Sequence, residues 1–154
     1  MSLDKLMSKY EAQKAKFVAE AKSAFAVFVK ELFKEIPDLN VVKWTQYTPY
    51  FNDGDTCEFS VNSPTFSNAK DASEVCSYGE YDGSDENVWC FDSVYGDVPE
   101  AVKAKKKQFE NFSNTITSGS LEDVLYDMFG DHTEVTIVRN GNDITIESEE
   151  YSHD

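Results

Sequence analysis

Val135-Thr136-Ile137-Val138-Arg139-Asn140-Gly141-Asn142-Asp143-Ile144-Thr145-Ile146 is the stretch whose reading decides the fold. β-Branched residues alternate on both sides of Asn-Gly, the dipeptide preferred at the centre of a type I′ turn. With the turn centred on Asn140-Gly141, Ile137 faces Ile144 and Val135 faces Ile146 on one side, while Thr136 meets Thr145 on the other. A period of two on both strands marks a half-buried antiparallel ribbon. The tail at 147–154 is expected to fray.

A ribbon with one apolar face needs cover, and the segments upstream supply it. Ser120 starts a short helix with Asp123 at the capping-box position, and Gly130 is a natural stop. Its core face is Leu121, Val124, Leu125, Met128 and Phe129. Before it, residues 98–117 read as a helix with Asp97 as N-cap, Pro99 in the first turn, and Val102, Phe109, Phe112 and Ile116 on the buried side. Residues 41–48 and 57–61 read as a strand pair around an Asn-Asp-Gly turn. Residues 74–78 and 87–91 read as a second pair around an acidic loop, and 65–73 as a plain loop.

The N-terminal helix is set by Leu3, Leu6, Tyr10, Phe17, Ala21, Phe25, Phe28, Leu32 and Ile36 at helical spacing, and Pro37 stops it. A helix over 3–36 is about 50 Å long. A compact domain of this size is only about 38 Å across. Residues 17–36 are therefore expected to cover the sheet. Residues 1–16 then overhang, restart at a Ser8/Glu11 capping box, or pack on another chain; self-association through this helix is the corresponding expectation. The whole reads as one acidic α+β domain, a mostly antiparallel sheet of about six strands with a long N-terminal helix and two further helices, in the order α-β-β-β-β-α-α-β-β.

Composition bounds the function. The chain has 154 residues, 29 Asp plus Glu against 14 Lys plus Arg, and a net charge of −15. Aromatics at 14% are too many for a disordered acidic tail. Binding to nucleic-acid phosphates needs a positive face, so direct nucleic-acid binding is not expected. No apolar run reaches membrane-spanning length, and the N-terminus lacks a signal peptide's apolar core. Three cysteines, Cys57, Cys76 and Cys90, at wide spacing argue for reduced thiols in a cytoplasm rather than disulfides or zinc. The charge is also segregated: residues 46–97 hold one Lys against eleven acids, and residues 119–154 one Arg against ten, whereas the helical segments 1–45 and 98–118 are each slightly basic.

Trp44-Thr45-Gln46-Tyr47-Thr48-Pro49-Tyr50-Phe51-Asn52-Asp53-Gly54-Asp55 packs four aromatics and an acidic glycine turn into twelve residues. Trp44, Tyr47, Tyr50, Phe51, Asn52 and Asp53 are thus candidates for a partner-facing surface, or else for a hairpin packed under the first helix. From Trp44 to Val61 the chain resembles a W-x-Q-Y-T-P-Y-F-N-D-G-[DE]-x-C-x-F-x-V pattern of uncharacterised small proteins of tailed phages and some bacteria. The resemblance implies a phage origin and no catalytic activity.

Chemistry-bearing motifs are absent. Asp82, Ser84, Glu86 and Asn87 fail the EF-hand pattern where its glycine should stand. There is no nucleophile elbow, phosphate loop or dinucleotide fingerprint, so neither an enzyme, a cofactor nor a metal centre is expected. His132 reads as a helix-terminal residue that favours the dipole or, less simply, as a base. What remains is acid on strands and turns: Asp82, Asp85, Glu86, Asp92 and Asp97, then Glu134, Asp143, Glu147, Glu149 and Glu150. Such a surface presents a field like that of a phosphate backbone. The leading expectation is a cytoplasmic protein-binding protein that inhibits a nucleic-acid-handling or defence enzyme by acidic mimicry. The alternative is an interaction module using the 44–51 aromatics or the first helix.

Overall fold

A computed structural model describes residues 2–50, 54–93 and 96–152. Helix α1 runs without a break from Leu3 to Glu35. Ser2 Oγ accepts the Lys5 N–H at 3.3 Å, so the helix starts at its first residues and the Ser8/Glu11 restart does not occur. Strands β1 (Val41–Tyr47), β2 (Ser60–Val61), β3 (Thr65–Ser67) and β4 (Cys90–Asp92) follow. Then come a 3-10 helix at Glu100–Lys105, helices α2 (Lys106–Ile116) and α3 (Gly119–Phe129), and strands β5 (Thr133–Asn140) and β6 (Asp143–Glu150). The fold is α+β with a six-stranded antiparallel sheet ordered β4-β3-β1-β5-β6, and β2 shares the β3 side of β1.

β1 is the centre. Val42, Trp44 and Gln46 alternate toward the helices, and Val41, Lys43 and Thr45 toward the other face; all six are buried. The helix-side core joins Phe25, Val29, Leu32 and Phe33 of α1 to Trp44, Phe66, Phe91, Val135 and Ile137 of the sheet and to Phe109, Phe112, Ile116, Leu125 and Met128 of α2 and α3. Phe25 meets Trp44 edge-on at 6.0 Å, and Phe28 stacks on Phe112 at 5.2 Å. The other face is covered by the excursion between β3 and β4, where Ala69 and Val75 close over Val41. Arg139 closes the end of α1: its guanidinium donates to the carbonyls of Phe33, Ile36 and Leu39 at 2.7–3.0 Å and lies over the Phe33 ring. A cation there neutralises the helix's negative end.

Several expectations are corrected. The hairpin pairs Ile137 with Ile146 and Val135 with Ser148, and Asn140 with Asp143. The turn is thus Gly141-Asn142, one residue later than expected. Gly141 takes φ +65° at the first central position, where a II′ turn places glycine. Moving the turn by one residue shifts each partner by two, so the apolar residues keep their face. Residues 147–150 do not fray: they are the second half of β6, and Tyr151 beyond them donates its N–H to His132 O at 2.8 Å. Residues 65–67, read as loop, are β3, whereas 74–78 is no strand and makes one isolated bridge, Val75 to Tyr81. β4 therefore pairs with β3. β2 and β3 are one run along β1 offset by a single extra residue, because Gln46 faces Val61 but Lys43 faces Thr65. Pro64, which has no N–H to give a ladder, stands in that bulge. The second helix begins as a 3-10 turn after Pro99, with a break in φ at Val102, and Asp97 lies too far out to cap it. α3 starts at Gly119 after Ser118, rather than at Ser120.

Candidate functional site

The aromatic stretch after Lys43 resolves into a latch between β1 and the α3–β5 corner. Trp44 is fully buried and donates its indole N–H to Gln46 Oε1 at 3.1 Å. Gln46, also fully buried, donates to Leu125 O at 3.0 Å and Gly130 O at 2.9 Å. The first belongs to the last turn but one of α3, and the second to the residue that caps the helix. Thr48 gives its backbone N–H and its hydroxyl to the two carboxylate oxygens of Asp131, each at 2.7 Å. Tyr47 stacks on Tyr151 at 5.8 Å, and Tyr50 on His132 at 4.9 Å. His132 holds φ +49°, and its N–H donates to Asp131 Oδ1 at 2.8 Å. Partial burial pushes the Asp131 carboxyl up, but the bonds from Thr48 and His132 outweigh it and hold it below the ordinary carboxylate range. Trp44 is therefore core, Tyr47 is half-buried, and of the described members only Tyr50, 62% exposed, faces outward. Phe51, Asn52 and Asp53 lie outside the described residues.

The acidic candidates divide. Asp82, Asp85 and Glu86 are exposed on the excursion over the sheet, and Glu147, Glu149 and Glu150 are exposed on β6. Asp97 is exposed after β4. Asp92 is not a surface group: it is buried and accepts the Ser63 hydroxyl at 3.0 Å. Glu134 is drawn to a buried cation, with Oε1 at 3.7 Å from Lys43 Nζ, which also donates to Val75 O at 2.9 Å and Ala72 O at 3.3 Å. Asp143 pairs with Lys30 of α1 at 3.0 Å, and that lysine holds its carboxyl low. β4 and β6 are opposite ends of the sheet path, four strand spacings or about 19 Å apart. Glu134, Glu147 and Glu149 nevertheless share the Lys43 face of the sheet, the face that the excursion carrying Asp82, Asp85 and Glu86 covers.

The thiols behave as weak donors. Cys76 Sγ lies 3.1 Å from Asp82 Oδ2, and Cys90 Sγ lies 3.3 Å from Glu80 O. Burial, then the Asp82 carboxylate, pushes Cys76 up, and burial pushes Cys90 up to about 11. The Tyr78 hydroxyl, bonded to Cys76, is raised to about 12. All three groups stay protonated near neutrality. Among the described residues no three His, Cys, Asp or Glu side chains are placed to hold a metal ion. No described helix is long and apolar enough to cross a membrane.

One surface stands out beyond these. Residues 2–17 of α1 are exposed, and its first link to the body is the 3.6 Å ion pair of Lys14 with Asp127 of α3. Leu3, Leu6, Met7, Tyr10 and Phe17 are 70, 53, 53, 64 and 49% exposed. Phe17, expected to cover the sheet, is thus part of the overhang, and cover begins at Val18. Met7 was not in the expected stripe, although its position four residues after Leu3 places it there. Asp131 and Lys43 were also missed; a lone Lys between Val42 and Trp44 in a strand was the signal for a buried, partnered cation. The chain matches no protein-family model, no curated protein and no solved structure.

Proposed function

We propose that the protein acts by binding a protein partner through the projecting half of α1. The observation that carries this is the outward stripe of Leu3, Leu6, Met7, Tyr10 and Phe17. Steps of three, four and seven residues put them on one side of the helix. An isolated helix of this length is marginal in water and gains stability chiefly from packing its apolar face. Lys14, four residues after Tyr10, lies on the same side, and Lys5, Lys9 and Lys16 lie on the far side. Together they suit the groove of a partner that receives an amphipathic helix. The test compares the intact chain, the chain lacking residues 1–16, and Tyr10→Ser with Leu6→Ser in affinity capture across a salt gradient. A partner held at high salt by the intact chain and lost by both variants is expected. Light scattering on the purified chain reads whether that partner is a second copy. A partner that survives the truncation overturns the reading.

A second reading, acidic mimicry that blocks a nucleic-acid-handling enzyme, is favoured by the outward cluster Asp82, Asp85 and Glu86. It predicts binding that falls with salt and is displaced by DNA or RNA. Reversing these three charges to Lys should abolish it, and full affinity after that change would sink it.

A further inference from the structure

Strand β6 is the long free edge of the sheet. It stands last in the order β4-β3-β1-β5-β6, with no strand beyond it among the described residues, and β4 at the other end is three residues long. β6 pairs with β5 without a break from Asp143 to Glu150. The Tyr151 N–H on His132 O marks 132 and 151 as a pair that faces across the ladder with its hydrogen-bonding groups. Alternation then turns the backbone groups of Thr145, Glu147 and Glu149 toward β5, and those of Ile144, Ile146, Ser148 and Glu150 outward. The Ile144 N–H is taken by Asp143 Oδ1 at 2.8 Å. Among the described residues nothing pairs with the outward N–H and C=O groups of Ile146, Ser148 and Glu150. Sheet edges are guarded by proline, a bulge, short length or charge. β6 has neither proline nor bulge, so its guard is charge. Glu147 and Glu149 project on the Lys43 face and Glu150 on the helix side, and all three are exposed. A second β6 laid here would set these carboxylates against one another. The guard thus turns away the chain's own copies but not a basic strand. Ile144 and Ile146, half-buried on the helix side, offer apolar surface beside it.

We propose that β6 receives an extended segment of a partner protein as a further strand, one in which Lys or Arg alternates with β-branched residues. The added strand runs antiparallel, as every pair in this sheet does. Its main chain completes the outward groups of Ile146, Ser148 and Glu150. Its cations stand beside Glu147 and Glu149, and its apolar side chains, on the other face, lie beside Ile146. This edge is separate from the projecting half of α1 and from the Asp82, Asp85 and Glu86 cluster, so the inference depends on neither reading above.

The test is an amide-resolved NMR titration and exchange measurement of the full chain with three capped octapeptides. One alternates Lys and Val, one alternates Glu and Val, and one alternates Lys and Pro, which keeps the charge but removes the N–H groups that would face β6. The Lys-Val peptide is expected to give saturable shifts centred on Ile146, Ser148 and Glu150. It should also slow exchange at those three amides, which exchange fast in the chain alone, and change little at Thr145, Glu147 and Glu149, already bonded to β5. The Glu-Val peptide should not saturate, and the Lys-Pro peptide should bind roughly tenfold more weakly. Ser148→Pro removes an outward N–H without touching the β5 ladder, and should weaken the Lys-Val peptide roughly tenfold. Glu147→Gln combined with Glu149→Gln should weaken it roughly fivefold. The remaining spectrum reports that the variants fold. Absence of saturable shifts up to about 10 mM Lys-Val peptide overturns the proposal. So does binding without slowed exchange at the outward amides, or equal binding of the Lys-Pro peptide, since either means that charge alone holds the peptide. An unchanged affinity in Ser148→Pro overturns it as well. Equal binding of the Glu-Val peptide, or no loss in the double Gln variant, overturns the basic character given to the partner.

Discussion

At the scale of single residues, Gln46 matters most for the corner of the fold. It joins Trp44 of its own strand to Leu125 of α3 and to Gly130, which caps that helix, through three hydrogen bonds while completely buried. Gln46→Leu fills similar space but leaves the indole N–H and the carbonyls of Leu125 and Gly130 without that partner. Orphaned buried groups cost about 1–3 kcal/mol each, and partial relaxation brings the expected loss to about 2–4 kcal/mol. Urea unfolding with an unchanged slope measures it, and a loss below about 1 kcal/mol would show that water or backbone movement replaces the bonds. Asp131 makes a second residue-level prediction. Its carboxyl is held below its ordinary value by Thr48 and His132, so its contribution to stability is complete above the unfolded value, roughly pH 4. The contribution is lost as pH falls through the folded value. Asp131→Asn should therefore be less stable than the parent at neutral pH, and the gap should close below roughly pH 4. A gap that stays constant with pH would mean that the carboxylate's charge is not what holds Thr48.

At the scale of elements, α1 is two structures in one helix. Its C-terminal half buries Phe25, Val29, Leu32 and Phe33 and is closed by Arg139, whereas among the described residues its first fifteen or so have only the Lys14 ion pair to tie them to the body. Amide exchange of the isolated chain should follow that division. Amides before Lys14 should exchange with little protection, and those from Phe25 to Phe33 should need near-global unfolding. Uniform protection along α1 would show that the overhang is already covered, most simply by a second copy. The length conflict behind this division was legible in the sequence, because a 50 Å helix does not fit on a 38 Å body. The strands between Tyr47 and Asp92 were not. β2, β3 and β4 are two or three residues long, too short to show a period, and their pairing depends on a one-residue bulge beside Pro64 that no local pattern announces. The C-terminal hairpin shows the intermediate case. Its strands and faces follow from alternation, but its register turned on whether Asn140 or Asn142 accompanies Gly141 in the turn, and both spellings fit turn chemistry. The aromatic stretch stayed open between surface and packing for a related reason: a Trp and a Gln two apart in a central strand read the same whether they face a ligand or the end of α3.

At the scale of the whole molecule, the charge is arranged around the layers. Lysines concentrate on the helical segments, and acids on β6, the excursion and the turns. Direct compensation between the layers is sparse. The described cross-element pairs at the surface are Lys14 with Asp127 and Lys30 with Asp143, and about half of each lysine side chain is open to water. Such exposed pairs contribute little. The buried pair of Lys43 with Glu134 is shielded from salt and does not change this balance. With 29 acids against 14 bases, the larger long-range effect is repulsion among carboxylates in the folded chain. Salt screens repulsion over distances beyond about 10 Å at 0.1 M, while leaving the apolar core intact. The thermal midpoint at neutral pH is therefore expected to rise as sodium chloride increases from about 10 mM to about 0.5 M, with most of the gain in the first tenth of that range. Scanning calorimetry reads it directly. A midpoint that falls over the same range would mean that the few cross-layer pairs outweigh the summed repulsion. The acidic clusters would then be stabilised by their local partners rather than strained by one another.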